Sequence, residues 1–415
     1  MVDTTYLLSL MAGSILNVQP IPFTPGFDIA KVAKLAESLP SHSWEYGATT
    51  QALLEFHDPL LSVFGPTPFP VQAYEKGSVK ALAYAADKIL LGVGVNGLAD
   101  GDGAVGDPAS LGVSAIMLGK TDLRFAAASR STLDYLMNAA PRYFNGAISH
   151  RVATPELWAD FMYMVPPFIA YYAADTRNGT LLQESVKQCG YYRQVLQSNT
   201  THPHKGVWEH IIGPQTRDDG LWSTGNAWAA AGMARVLATV MRAPVAQNAT
   251  WRQNAIDDLT WWITEILDGA MASSMDGGLV RNYMNKMDTT AGGFGEISGS
   301  ALFAAVAYRM AVLQPKACGD KYINWAEGIR RTLGGRDTNG NPHITRGGVA
   351  TPAVNPLGWL DPKPVTTGSP EGQAFVVLMY AAWRDCVLVD RCTWKLGSLR
   401  RMEKRMHRFG SHKHR

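Results

Sequence analysis

The segment "VKALAYAADKIL" (79–90) places its apolar residues three and four positions apart. That spacing is typical of an α-helix that buries one face and exposes the other. The same pattern occurs in "FDIAKVAKLAESL" (27–39) and "TTQALLEFHD" (49–58). A shorter helical run is predicted at 108–118. Longer runs are predicted at 121–139, 158–174, 180–197, 225–241, 251–268, 297–313, 321–334 and 371–388. The chain is therefore expected to form roughly twelve helices.

The connections between these helices alternate between short ones and long ones rich in glycine, proline and asparagine, such as "NTTHPHKG" (199–206). No series of alternating strand residues interrupts them. Six helical hairpins with their long loops at one end would produce this rhythm, so we predict a single all-α domain, an (α/α)6 barrel. We place that domain at 27–390, with an N-terminal extension at 1–26 and a basic tail at 391–415.

The composition excludes several classes of protein. Of 415 residues, 46% are hydrophobic and 18% are charged, which is typical of a globular chain. The formal charge of +3 comes from the basic tail, so we infer no nucleic-acid surface. No run approaches the length of a membrane-spanning helix, and no membrane partner is expected. Oligomeric state is not encoded in these patterns.

Secretion is favoured by three Asn-x-Ser/Thr sequons, at Asn178, Asn199 and Asn248. The apolar stretch 6–16 has the length of a signal segment but lacks a preceding positive charge, so a cytoplasmic location is the alternative. Cys386 and Cys392 could form a disulfide or remain free. The other two of the four cysteines, Cys189 and Cys318, are expected to be buried free thiols.

Two short motifs resemble ligand-binding motifs, one for a dinucleotide and one for a metal, but their sequence context does not support either kind of site. "GVGVNG" (92–97) matches a dinucleotide fingerprint, yet a helical run precedes it where a strand is needed. "HPH" (202–204) lies in a loop and lacks the three or four ligands of a zinc site. We therefore expect neither a cofactor nor a metal.

Asp160 lies among rings and apolar side chains in "HRVATPELWADFMYMVPPFIAYY" (150–172). It could stabilise the first turn of a helix, where the helix dipole favours a carboxylate. Alternatively, a carboxylic acid partly removed from water can donate a proton near neutrality. His150, ten residues upstream across a turn, could return beside it.

Two further groups of residues have alternative readings. Trp222 and Trp228, in "GLWSTGNAWAAAGMARVL" (220–237), could pack in the core or stack on sugar rings. Asp218 and Asp219 could form a turn, or they could share acid and base roles in glycoside hydrolysis. Neither pattern decides the matter alone.

Together these segments resemble glycoside hydrolase family 105 and, more distantly, family 88, the unsaturated rhamnogalacturonyl and glucuronyl hydrolases. The resemblance extends from "SWEYGATTQALLEF" (43–56) to "GSPEGQAFVVLMYAAW" (368–383). It is most specific in "GAISHRVATPELWADFMYM" (146–164) and "LWSTGNAWA" (221–229). These enzymes have six-hairpin folds, which agrees with the helical count.

By position, the resemblance implies that Asp160 is the general acid and base. It implies substrate-binding roles for His150, His210, Trp222 and Trp228. It also implies such roles for Tyr46, as the aromatic residue of the first long loop, and for Asp107, as a second acidic residue of the site. The family often has arginine where this chain has Thr224, and an arginine there would pair with an acidic sugar.

The implied substrate is an oligosaccharide that a polysaccharide lyase has left with a 4,5-unsaturated uronic acid at its non-reducing end. The implied reaction is hydration of that double bond, without cofactor or metal. The alternatives are another glycosidase that uses Asp218 and Asp219 on saturated glycans, and a non-catalytic relative that binds glycan.

Overall fold

The structure is a computed structural model that describes residues 23–198 and 201–393. Thirteen α-helices lie in these residues: α1 (Ile29–Ser38), α2 (Ser43–His57), α3 (Lys80–Lys88), α4 (Gly106–Ala109), α5 (Gly112–Leu118), α6 (Leu123–Asn138), α7 (Phe161–Asp175), α8 (Gly179–Leu196), α9 (Ser223–Arg242), α10 (Arg252–Ala272), α11 (Ile297–Leu313), α12 (Asp320–Leu333) and α13 (Pro370–Leu388). Four two-residue strands accompany them: β1 (Leu157–Trp158), β2 (Ile211–Ile212), β3 (Met275–Asp276) and β4 (Leu279–Val280).

The helices form an inner and an outer ring. In the inner helix α9 every residue from Ser223 to Val240 is buried. The outer helix α12 buries only one stripe, Tyr322, Ala326, Ile329 and Leu333. The short helices α4 and α5 follow one another in a single inner position, so twelve positions alternate between the rings. The all-α (α/α)6 barrel predicted from the sequence is confirmed.

The inner helices α7 and α9 approach each other closely at Gly232. A Cβ atom on this residue would overlap the carbonyl oxygen of Met162. That carbonyl lacks its usual intrahelical donor, because the residue four positions later is Pro166, which has no N–H. The small-residue face of α9 thus sets the distance between the two helices that carry much of the site.

Buried ion pairs fill the interior near the C-terminal ends of the inner helices. Glu55 forms an ion pair with Arg235 at 2.6 Å and accepts a hydrogen bond from Arg309 at 2.7 Å, and Arg309 also pairs with Asp385 at 2.6 Å. Each buried charge therefore has an opposite partner, which offsets the cost of removing it from water. The cavity of about 20 Å³ beside these pairs holds no more than a small molecule the size of water.

The long connections lie at the opposite end, before the inner helices. Strand β1 pairs antiparallel with β2, with Trp158 opposite Ile211, and β3 pairs with β4. Backbone hydrogen bonds join further loops: Val105 N–H donates to the His150 carbonyl at 2.6 Å, and Ala159 N–H donates to the His210 carbonyl at 2.9 Å. These contacts fix the loops that surround the inner helix N-termini.

Two predicted boundaries were wrong in ways that affect the site. Helix α2 starts at Ser43, ahead of the predicted 49–58, because Glu45 accepts hydrogen bonds from the backbone N–H groups of Ser41 and His42. Helix α7 starts at Phe161 and not at the predicted residue 158, because Trp158 belongs to strand β1 and Ala159 directly follows that strand.

The termini and cysteines complete the description. Cys386 and Cys392 form a disulfide, while Cys189 and Cys318 are free and buried. The predicted signal-like stretch, most of the 1–26 extension, the Asn199 sequon and the tail from 394 onward lie outside the described residues. Across 23–198 and 201–393, none of the helices has both the length and the apolar character needed to cross a bilayer.

Candidate active site

A cavity of about 250 Å³ opens at the end of the barrel where the inner helices begin. Four tryptophans line it: Trp44, Trp158, Trp222 and Trp359. Eight lining side chains are charged or titratable: His42, Asp102, Asp107, His150, Arg151, Asp160, His210 and Glu371. Flat apolar rings interspersed with groups that can form hydrogen bonds are suited to a sugar, which has apolar C–H faces and polar hydroxyl edges.

Asp160 lies directly before α7, and its carboxylate lines the cavity. Its side chain accepts no hydrogen bond from the first turn of the helix, so it does not act as a helix cap. Oδ2 lies 3.3 Å from Nε2 of His210, within ion-pair distance but not aligned as a hydrogen bond. The capping interpretation of Asp160 therefore loses its main contact, although the residue does stand at a helix N-terminus.

His210 connects Asp160 to a second carboxylate. Its Nδ1 lies 2.9 Å from Oδ2 of Asp218, which also accepts from the Tyr283 hydroxyl. Burial lowers the pKa of His210, but the carboxylates of Asp160 and Asp218 outweigh it, and the net shift is upward. Burial raises the pKa of Asp218, but the hydrogen bonds from His210 and Tyr283 prevail, and its pKa falls.

His150 and Asp107 lie against each other on another wall of the cavity. The Nε2 atom of His150 is 3.7 Å from Oδ1 of Asp107, too far for a hydrogen bond. Burial is the main cause that lowers the pKa of His150 to about 3. Burial, with the negative charge of Asp160, raises the pKa of Asp107 to about 8. Near neutral pH the imidazole is therefore uncharged and the carboxyl largely protonated.

Trp158 is held in place by a buried carboxylate. Its indole N–H donates to Oε2 of Glu156 at 3.2 Å, and its ring stacks on His150 with centroids 4.8 Å apart. The other oxygen of Glu156 accepts from the backbone N–H groups of Gln215, at 2.7 Å, and Thr216. Glu156 thus ties the loop before β1 to the loop after β2, and it fixes one aromatic wall.

Two more tryptophans meet around His210. The Trp222 ring centroid is 4.4 Å from that of His210, and its indole N–H donates to Oδ1 of Asn282 at 2.8 Å. Trp359 meets the edges of His210 and Trp158 at 5.3 and 5.4 Å. The imidazole is consequently in contact with three tryptophan rings, those of Trp158, Trp222 and Trp359.

The structure brings together five of the seven residues that the sequence suggested for the site: Asp107, His150, Asp160, His210 and Trp222. Their catalytic and substrate-binding roles stay predictions. The other two, Tyr46 and Trp228, do not line the cavity.

Tyr46 was expected in a long loop but lies within the first turn of α2, half-buried, with Lys88 Nζ 5.0 Å from its ring centroid. Trp228 lies farther along α9 than the cavity reaches. It is fully buried, with its ring 4.5 Å from the ring centroids of both Tyr163 and Phe375. For Trp228 the core interpretation of the sequence is the one that the geometry favours.

Thr224 is also buried and does not line the cavity. Its hydroxyl donates to Oε1 of Glu296 at 3.0 Å, and Glu296 caps α11 by accepting from the Ser298 N–H at 2.6 Å. The guanidinium that does line the cavity belongs to Arg151, 5.8 Å from the Trp158 ring centroid. A cation is thus present in the cavity at a position other than 224.

Asp218 and Asp219 differ in their contacts and exposure. Asp218 is engaged by His210, Tyr283 and the Gly220 N–H, the last at 3.0 Å, whereas Asp219 is exposed. Neither carboxylate lines the cavity. The geometry therefore does not support a pair that shares acid and base roles.

Several lining residues were missed in the sequence. Trp44 stands two positions before the selected Tyr46, and Trp158 two before Asp160, so proximity to a candidate was the available signal. Trp359 belongs to a loop far along the chain, and Glu371 follows Ser369 and Pro370 at a helix start, where an acid is commonplace. Only the fold brings these last two to the cavity.

The barrel, its aromatic cavity and its buried carboxyl groups are features typical of a glycoside hydrolase. A family model, Glycosyl Hydrolase Family 88, matches residues 114–384, and the chain belongs to this family. No curated protein matches the chain.

Solved structures of similar fold include a possible member of the GH105 family from Klebsiella pneumoniae, with 15% identity, a TM-score of 0.64 and coverage of 89% of this chain and 99% of that one. A glycosyl hydrolase family 88 protein from Bacteroides vulgatus shares 17% identity at a TM-score of 0.60, covering 85% and 96%. An unsaturated glucuronyl hydrolase specific for heparin shares 10% at 0.51, covering 88% and 97%. The resemblance inferred from the sequence is thus confirmed at the level of family and fold.

Proposed function

We propose that this glycoside hydrolase releases a 4,5-unsaturated uronic acid from the non-reducing end of lyase-generated oligosaccharides, with Asp160 as the acid and base. The observation that carries this proposal is the Asp160 carboxylate, which lines a tryptophan-rich cavity without serving as a helix cap. Family membership adds support, because the fold resembles that of a solved unsaturated glucuronyl hydrolase.

The chemistry requires one group that both gives and takes a proton. Protonated Asp160 delivers its proton to C4, the electron pair of the C4=C5 double bond forms the new C–H bond, and a cation stabilised by the ring oxygen develops at C5. Water adds at C5 and returns a proton to Asp160. The resulting hemiketal opens, and C1 then expels the rest of the oligosaccharide as an alcohol. One water is consumed, and Asp160 ends in its starting form.

The surroundings of Asp160 suit that cycle. His210 lies 3.3 Å from Oδ2 and is itself held by Asp218, so it can hold the carboxylate in one orientation. His150 is uncharged near neutrality, so it can donate or accept a hydrogen bond with a sugar hydroxyl. Trp158, Trp222 and Trp359 offer ring faces and edges around the position of the sugar.

The direct test compares saturated with lyase-generated oligosaccharides of the same glycan. We expect loss of the ultraviolet absorbance of the conjugated uronate, and release of one uronic acid unit, only from the lyase-generated set. Digests of rhamnogalacturonan, ulvan and glycosaminoglycans then identify the preferred chain; rhamnogalacturonan is the substrate that the family 105 resemblance favours. Cleavage of the saturated set would instead identify another type of glycosidase.

We also propose that the protein is secreted and N-glycosylated. Asn178 and Asn248 are exposed, and a disulfide joins Cys386 to Cys392, as is common in oxidising compartments. When the chain is secreted from a eukaryotic host, an enzyme that removes N-glycans should increase its electrophoretic mobility. Asn178→Gln and Asn248→Gln should each reduce that shift, and an unshifted wild type would contradict the proposal.

A further inference from the structure

Glu371 places a buried carboxyl group in the same cavity as Asp160. It is the second residue of α13 and is only 1% exposed. Its Oε1 accepts a hydrogen bond of 3.0 Å from the indole N–H of Trp44. Its Oε2 is buried and makes no hydrogen bond with any described residue. One oxygen is therefore anchored, while the other is available to a ligand.

The surroundings of Glu371 decide its protonation. Burial is the main cause that raises its pKa well above the ordinary range, and the negative charges of Asp160, Glu45 and Glu296 add to it. The Trp44 hydrogen bond opposes this shift, as does the N-terminal turn of α13. Burial and the three carboxylates prevail, so the pKa of Glu371 stays raised, which favours the neutral acid, whose O–H can donate a hydrogen bond.

The charge of the cavity favours such a neutral group if the ligand is an anionic uronate. Four carboxyl groups line it, at Asp102, Asp107, Asp160 and Glu371, against the guanidinium of Arg151 and the imidazole of His210, whose pKa is raised. If all four were ionised, an anionic uronate would enter a strongly repulsive field. Protonation of Glu371 and of Asp107 removes much of that repulsion, and it also turns acceptors into donors.

We propose that Glu371 is a substrate-binding residue, a neutral carboxylic acid anchored by Trp44 that donates a hydrogen bond from Oε2 to the carboxylate of the bound uronic acid. This inference rests on the proposed function, since that function supplies the uronate. A hydrogen bond from a carboxylic acid to a carboxylate is charge-assisted and stronger than one between neutral groups. Arg151 and Glu371 would then recognise the acidic sugar from two sides of the cavity.

The hydrogen bond makes substrate affinity depend on pH. As pH rises through the titration of Glu371, the donor is lost and a new negative charge faces the uronate, so KM increases. The charged and titratable groups around it are Asp160 on the α7 side, Glu45 on α2, Glu296 before α11, and His42, Asp102, Asp107, His150, Arg151 and His210 along the cavity. A methyl ester of the same unsaturated sugar should show a smaller increase, because it lacks the negative charge.

The test measures kcat and KM on a lyase-generated unsaturated disaccharide across neutral and alkaline pH. Glu371→Gln keeps a donor that cannot ionise, so its KM should stay near the wild-type value at neutral pH and rise less with pH. Glu371→Ala should raise KM roughly 10- to 100-fold at neutral pH, the usual effect of losing a hydrogen bond to a charged group. In both variants the change in kcat should be much smaller than the 10- to 100-fold rise in KM that is expected for Glu371→Ala.

Asp58→Asn is the matched control. Burial raises the pKa of Asp58 to about 6, but this residue lies past the C-terminal end of α2 and does not line the cavity. Its variant should retain the wild-type dependence of KM on pH. The same KM in Glu371→Ala as in wild type, or the same pH dependence in Glu371→Gln, would overturn the role of Glu371.

Binding calorimetry separates this inference from the proposed function. Wild-type protein that binds the disaccharide without turning it over would reject the hydrolysis alone, and the Kd ratio between wild type and Glu371→Ala would still measure the hydrogen bond. An infrared difference spectrum between wild type and Glu371→Gln at neutral pH should show a protonated carboxylic acid. Carboxylate bands in its place, or no binding by the wild type, would reject the assignment.

Discussion

Asp218 holds His210 from the side opposite Asp160. The Nδ1 atom of His210 lies 2.9 Å from Asp218, and Nε2 of the same ring lies 3.3 Å from Asp160. The pKa of Asp218 is lowered despite its burial, so this carboxylate is ionised and Nδ1 must carry the hydrogen. Asp218 is therefore a positioning residue: it fixes the tautomer and orientation of the imidazole that faces the proposed acid.

Asp218→Asn should slow turnover by roughly 10- to 100-fold, the usual cost of removing an orienting partner. It should also lower the pKa of His210, because one of the two carboxylates that raise it is gone. The pH profile of kcat/KM should then shift at its alkaline side toward lower pH. Asp219→Asn, next to it but exposed, should leave both rate and profile unchanged. A wild-type pH profile in Asp218→Asn would show that the pairing is structural.

Trp359→Ala should weaken substrate binding more than it slows chemistry. The ring lines the cavity and meets the edges of both Trp158 and His210, so its loss removes apolar contact with the sugar. We expect KM to rise roughly tenfold, equivalent to about 1.4 kcal/mol. Trp261→Ala is the control, because that ring is exposed and does not line the cavity. Equal KM values in the two variants would contradict a role for Trp359 in binding.

Thr224→Val should destabilise the fold and leave specificity for the acidic sugar intact. The change keeps the shape of the side chain but removes the hydrogen bond to buried Glu296. We expect the free energy of unfolding to fall by about 1–2 kcal/mol, measured by urea denaturation. Thr338→Val, at an exposed position, should have no such effect. A large loss of preference for uronate substrates would show instead that Thr224 reads the substrate.

Asp107→Asn should change how stability depends on pH. Because the pKa of Asp107 is raised to about 8 in the folded state, the native protein binds more protons than the unfolded chain between about pH 4 and pH 8. The stabilisation of the folded state that comes from the neutral form of Asp107 is fully present below about pH 4, and it is lost as pH rises through this window. Each pH unit lowers the wild-type free energy of unfolding by up to about 1.4 kcal/mol relative to the variant. Parallel pH curves in urea unfolding would contradict the raised pKa.

The helical periodicity was sufficient to predict the barrel, because outer helices bury one stripe and inner helices are apolar all round. The runs at 225–241 and 297–313 agree within two residues with α9 and α11. The start of α2 could not be read from periodicity, since side-chain capping by Glu45 decides it. Strands β1 and β2 could not be read either, because their pairing joins loops more than 50 positions apart.

The site was predictable where its residues lie near a distinctive local motif. Asp160, His150 and Trp222 belong to such segments, and all three line the cavity. Trp228 shares a motif with Trp222. Because it lies six positions farther along the chain, within α9, its ring is farther from the cavity and is buried in the core. Glu371 and Trp359 reach the cavity only through the closure of the barrel, which brings the last inner helix beside the first. No local pattern carries that information.

The central claim is that Asp160 transfers the proton, and Asp160→Asn tests it most directly. The substitution keeps the shape of the side chain but cannot donate to C4 or accept from water, so kcat should fall by at least 100-fold. Asp134→Asn, an exposed carboxylate on α6, is the control and should retain activity. The measurement is loss of the conjugated uronate's ultraviolet absorbance, with equal thermal unfolding midpoints showing that each variant is folded. Folded Asp160→Asn protein with near-wild-type turnover would contradict the account.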